Sequence, residues 1–61
     1  MTRMMADYCA SEARTLNRME YYVCYDPSDG ENFYVSARDY ESEGMMFEVL
    51  SWYPWHDWMA L

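Results

Sequence analysis

The sequence predicts a small α+β fold: an N-terminal helix packed on a three-stranded antiparallel sheet (αβββ), with a short aromatic C-terminal tail. Three observations predict it. Residues 1–19 contain no Gly or Pro and space apolar side chains by three and four, the period of a helix face. From residue 20 the period falls to two, and β-branched and aromatic residues fill three short runs. Two polar connections, containing Gly30 and Gly44, separate those runs.

The helix is expected over residues 2–19. Thr2 is a candidate N-cap, and Met5, Cys9, Ala13, Leu16 and Met19 or Tyr8 form the apolar stripe. Arg14 and Arg18 fall near the C-terminal end, where the helix dipole favours cations. Arg3, Asp7, Arg14 and Arg18 share a face, read as the solvated one. Met1 and Met4 extend the apolar surface toward a dimer contact. Residues 20–26 read as the first strand, with Tyr21, Val23 and Tyr25 alternating with Tyr22 and Cys24. Pro27, Ser28, Asp29 and Gly30 supply a turn, because Pro presets one φ and Gly accepts a positive one. Residues 32–38 form the second strand, with Phe33, Val35 and Ala37 opposite Tyr34, Ser36 and Arg38, and the two make an antiparallel hairpin.

Residues 39–44 read as an acidic connection. Residues 45–52 form the third strand, with Met45, Phe47 and Val49 on one face and Met46, Glu48, Leu50 and Trp52 on the other. Pro54 ends it, since Pro cannot donate to a ladder. The expected order is a meander covered by the helix on one side. Tyr22, Tyr34, Leu50 and Trp52 are assigned to the opposite side, where no further element is expected to cover them. Residues 55–61 have room for a single helical turn after Pro54.

With 61 residues the chain is expected to form one domain, residues 1–61. A folded chain this short buries roughly 60% of its unfolded surface, so its core is small. Aromatic residues make up 20% of the chain, too many for a disordered one. No run of about 18 apolar residues reads as membrane-spanning, and Asp7 and Glu12 interrupt any secretory h-region. A cytoplasmic protein is therefore expected, with no membrane partner. In that setting Cys9 and Cys24 read as small hydrophobes more readily than as a disulfide, although an even count permits one.

The charge is unevenly spread. Residues 1–19 carry a net +1 and residues 20–61 a net −8, which together give −7. Direct nucleic-acid binding through a basic face does not fit. Asp26, Asp29 and Glu31 cluster at the hairpin turn. Asp39, Glu41 and Glu43 recur every second residue, so an extended chain would point all three one way. Such runs keep small proteins soluble, and they also attract basic partners. Mimicry of duplex DNA is a quantitative matter. A seven-residue strand spans roughly 23 Å, a length over which the duplex carries about 13 charges. One copy at −7 is a thin mimic, and two copies would match.

No catalytic constellation stands out. His56 lies beside Asp57 with Ser51 five positions earlier, but an adjacent pair establishes no convergent triad. Cys9, Cys24 and His56 lack the paired spacing of a zinc site, and Gly30 and Gly44 form no phosphate loop. Neither a metal nor a cofactor is expected, nor enzymatic activity. The stretch from Trp52 to Met59 carries Trp52, Trp55 and Trp58 at intervals of three, either as core or as an anchor surface.

In size, acidity and aromatic richness the chain resembles small phage-encoded inhibitors, including anti-CRISPR and anti-restriction proteins. The resemblance is one of composition and transfers no residue. It implies a small acidic protein that binds a basic nucleic-acid-binding protein or complex and blocks its groove. Asp26, Asp29, Glu31, Asp39, Glu41 and Glu43 are expected to attract that partner. Tyr22, Tyr34, Trp52, Trp55 and Trp58 are expected to anchor it. The alternative is a self-associating homodimeric structural module.

Overall fold

The structure is a computed structural model, and it describes residues 1–56. Helix α1 spans Arg3–Asn17. The Thr2 hydroxyl accepts the Met5 N–H at 3.1 Å, satisfying one of the helix's free amides. Arg18 ends the helix in the left-handed region (φ 54°) and donates its N–H to the Arg14 carbonyl at 2.9 Å. Strand β1 is Tyr21–Asp26, β2 is Glu31–Ser36, helix α2 is Ala37–Ser42 and β3 is Glu48–Tyr53.

The expected helix and three-stranded antiparallel sheet are both present, but the sheet order is β2-β1-β3 and not a meander. β1 pairs with both neighbours, Val23 opposite Tyr34 on one side and Ser51 on the other. The burial of the strands accounts for this order. β1 buries Tyr21, Val23 and Cys24, whereas β2 buries only Ser36 and β3 no residue fully. The strand that is apolar on both faces takes the one position paired on both edges. The chain must then cross over β1 between β2 and β3, and α2 occupies that crossing.

α2 replaces the end of the expected second strand and most of the expected acidic connection. Ser36 caps it, accepting the Asp39 N–H at 3.1 Å, and Asp39 stands in its first turn, where the dipole favours an anion. Gly44, at φ 62°, stops it. The Gly44 N–H donates to the Glu41 carbonyl at 3.2 Å and the Met45 N–H to the Tyr40 carbonyl at 3.0 Å, a Schellman closure. β3 accordingly starts at Glu48, three residues later than the alternation of Met45 and Phe47 suggests.

The largest correction concerns α1. The face turned to the sheet is Ala6 and Ala10, both fully buried, with Ala13 packed beside them against Tyr21 and Val23. The expected stripe faces out at Met5 (54% exposed), Tyr8 (64%) and Leu16 (79%). Small residues let the helix approach the sheet closely, and the tyrosines of the sheet fill the interval. The face read as solvated abuts β3. Arg3 donates to the Leu50 carbonyl at 2.9 Å and the Ser51 hydroxyl at 2.7 Å, and pairs with Asp7 at 3.3 Å. The Arg14 guanidinium lies 5.6 Å from the Tyr53 ring centroid.

This orientation has an expected outcome. Ala10→Leu overpacks the helix–sheet contact and lowers stability by about 2 kcal/mol or more. Leu16→Ser changes it by less than about 0.5 kcal/mol. Urea denaturation at low micromolar protein measures both, and the reverse ranking would show that the large residues face inward.

Candidate interaction surface

Alternation along β1 sends Tyr21 and Val23 toward α1, and Tyr22 and Cys24 to the other side. Register carries the second face outward from β1. Tyr22 lies between Val35 of β2 and Trp52 of β3, and Cys24 between Phe33 and Val49. This face is partly covered. The Tyr40 ring of α2 meets Tyr22 edge-on with centroids 5.3 Å apart, and Phe47 meets Phe33 in the same way at 5.1 Å. The Tyr40 hydroxyl donates to the Phe47 carbonyl at 2.7 Å, which ties the chain after α2 down over the sheet.

Of the four residues assigned to this face, Tyr22 and Trp52 lie on it. Tyr34 and Leu50 lie on the α1 side, and each has a physical cause. Antiparallel register sets Tyr34 opposite Val23, and its ring lies 6.1 Å from Tyr21. A bulge in the β1–β3 ladder at Val23/Cys24 interrupts the alternation of β3. Leu50 therefore packs against the α1-side core while Trp52 keeps the opposite face.

Trp52 is 59% exposed, and its indole N–H donates to the Glu20 carboxylate at 3.2 Å. Tyr22 stands beside it in register. Burial pushes the Tyr22 phenol up, and the charges of Glu20 and then Glu41 add to the rise. Tyr22, Tyr40 and Trp52 thus make an aromatic surface bordered by Glu20 and Glu41. Glu20 and Tyr40 were not among the sequence-predicted site residues. Their contribution depends on α2 and on the central position of β1, neither of which the meander contained.

The remaining acids divide by what they already hold. Asp26 accepts the Ser28 N–H at 2.9 Å and the Ser28 hydroxyl at 2.7 Å, and Asp29 accepts the Glu31 N–H at 2.9 Å. Glu31 pairs with the Met1 ammonium. The hairpin acids therefore brace their own turn, closed by Gly30 at φ 71°. Asp39, Glu41 and Glu43 do not point one way, because their segment is helical to Ser42. Residues four apart share a helix side, so Asp39 and Glu43 lie together and Glu41 lies opposite. Trp55 is half-buried, and Trp58 lies outside the described residues.

Cys9 and Cys24 are free thiols on separate elements, and Cys24 is buried on the second face. Among the described residues, no three His, Cys, Asp or Glu side chains gather as metal ligands. No helix among them is long and apolar enough to cross a membrane. Comparison with protein-family models, with curated proteins and with solved structures finds no match for the chain.

Two outcomes follow from the burial of these thiols and phenols. A thiol reagent should modify the partly exposed Cys9 in the native protein and reach Cys24 only on unfolding; equal rates would contradict the Cys24 burial. Burial also pushes up the Cys24 thiol, and burial together with Asp7 pushes up the Tyr53 phenol. With Tyr22, these groups hold their protons in the fold after the unfolded chain has lost them. Stability is then full below about pH 9 and declines as the pH rises through the thiol and phenol ranges. Tyr22→Phe should make the fall in the urea midpoint shallower, and an unchanged slope would remove Tyr22 from the effect.

Proposed function

We propose that the protein is a non-catalytic interaction protein that binds a basic, nucleic-acid-handling protein and blocks its groove. The observation that carries this reading is the exposed Trp52 indole, set beside Tyr22 and Tyr40 and bordered by Glu20 and Glu41. A guanidinium suits such a surface twice over: it stacks on an aromatic face and it bonds a carboxylate in bidentate fashion. The chain's net charge of −7 supplies longer-range attraction to the same kind of partner. Asp39, Glu41 and Glu43 contribute mainly to the rate of encounter. Trp52 contributes to residence time, as aromatic anchors do at interfaces.

The test is capture from bacterial lysate, with washes from about 50 mM to about 500 mM salt, a range over which the screening length falls steeply. Wild type should retain a nucleic-acid-handling protein at low salt and release it at high salt. Binding of that protein to its nucleic acid should fall as wild type is added. Trp52→Ala should speed dissociation about tenfold or more, the effect of losing an anchor worth at least 1.4 kcal/mol. Glu41→Arg with Glu43→Arg should slow association and flatten its salt dependence. A captured protein that both variants bind as wild type does would remove this surface from the reading.

A further inference from the structure

The geometry points to a second copy of this chain as the partner of the outer face of α1, joined to it as an antiparallel helix pair. That face lies opposite the alanines packed on the sheet. Met4 is 80% exposed and Leu16 79%, and Met1, Met5 and Tyr8 are exposed beside them. Met5, Tyr8, Glu12 and Thr15 alternate in steps of three and four, the spacing of a helix–helix seam. The seam contains a single side chain charged at neutral pH, Glu12.

Glu12 selects the orientation. A parallel pair brings Glu12 against Glu12, two like charges in a desolvated seam. An antiparallel pair whose two-fold axis crosses the outer face of α1 at the level of Ala10 sets the level of residue i against that of residue 20 − i. Tyr8 then meets Glu12 of the second copy and Met5 meets Thr15, with Leu16 flanking Met5 of the second copy, each contact occurring twice. The Tyr8 hydroxyl donates to the carboxylate, a charge-assisted bond, so the only charge in the seam acquires a partner. The two helix dipoles also run antiparallel, each N-terminus beside the other's C-terminus.

The wider charge distribution agrees. Residues 1–19 carry a net +1 against −8 for the rest, so this contact joins the least acidic parts of two acidic chains. α1 is about 22 Å long, so the pair covers less than the roughly 800 Å² per partner of a standard interface. The association is therefore a weak, reversible one. Cys9 flanks the seam one residue from the axis, which brings the two Cys9 side chains to the same side of the pair.

Sedimentation equilibrium from about 10 µM to about 1 mM protein covers the affinities of weak, reversible dimers. The expected result is a monomer–dimer equilibrium that Leu16→Glu abolishes and Tyr8→Phe weakens about tenfold. Circular dichroism and the urea midpoint at the low concentration confirm that both variants fold. A short bismaleimide should cross-link wild type and Cys24→Ser, and leave Cys9→Ser uncross-linked. A chain that stays monomeric at about 1 mM overturns the proposal, whether residues 57–61 or another protein hold this face. So does a dimer that survives Leu16→Glu, or one that Cys9 cannot link. α1 and the Trp52 surface lie on opposite faces of the sheet, so Trp52→Ala should leave dimerisation unchanged.

Discussion

The two largest fully buried side chains, Val23 and Cys24, are consecutive residues of β1, and they point to opposite faces of the sheet. The rest of the fold depends on covering both. A strand buried on both faces must also have both edges paired, because an unpaired buried amide costs as much as a lost hydrogen bond. β2 and β3 therefore flank β1, and the chain has to cross over it. α1 covers Val23. α2, with Tyr40 and the strap ending at Phe47, lies over the face to which Cys24 belongs. Each element satisfies a requirement set by two adjacent residues of one strand.

Much of this was legible in the sequence, and the missed parts have identifiable causes. The long helix, the three strands, the Pro27–Gly30 turn and the alternation within β1 and β2 follow from period and turn chemistry. The inward face of α1 does not, because periodicity ranks Met5 and Leu16 above Ala6 and Ala10. In a chain whose sheet supplies large tyrosines, volume decides instead. A helix of alanines fits over Tyr21 where methionines would hold it away. α2 escaped because it is a single short helix of mostly polar residues, and its signals are Ser36 and Gly44 rather than an apolar stripe. The bulge opposite Val23 and Cys24 has no sequence marker at all, yet it parts Leu50 from Trp52.

The acids divide in the same way between local work and outward charge. Asp26 and Asp29 accept backbone amides of the hairpin they stand in, and Asp39 faces the dipole of α2. These three have structural reasons to be acidic. Glu41 and Glu43 lie at the C-terminal end of α2, where a negative charge is unfavourable to the helix dipole. Glu20 lies beside an indole N–H at the start of β1 and also raises the Tyr22 phenol. Of these carboxylates, Glu20 and Glu41 lie beside the exposed aromatic surface.

A small core then explains why two apolar surfaces remain at the exterior. The fully buried side chains are short, and the chain's methionines, tryptophans and most of its tyrosines exceed what a core of this size can enclose. The two surfaces differ in chemistry. The outer face of α1 is flexible and thioether-rich with one carboxylate, and a two-fold axis gives that carboxylate a hydroxyl. The Trp52 face is aromatic and bordered by two carboxylates, so pairing it with a second copy would bring four carboxylates to one contact. Self-association therefore suits α1, and a cationic partner suits the Trp52 face. Because α1 and the Trp52 face lie on opposite sides of the sheet, the pairing proposed through α1 would leave the Trp52 face of each copy uncovered.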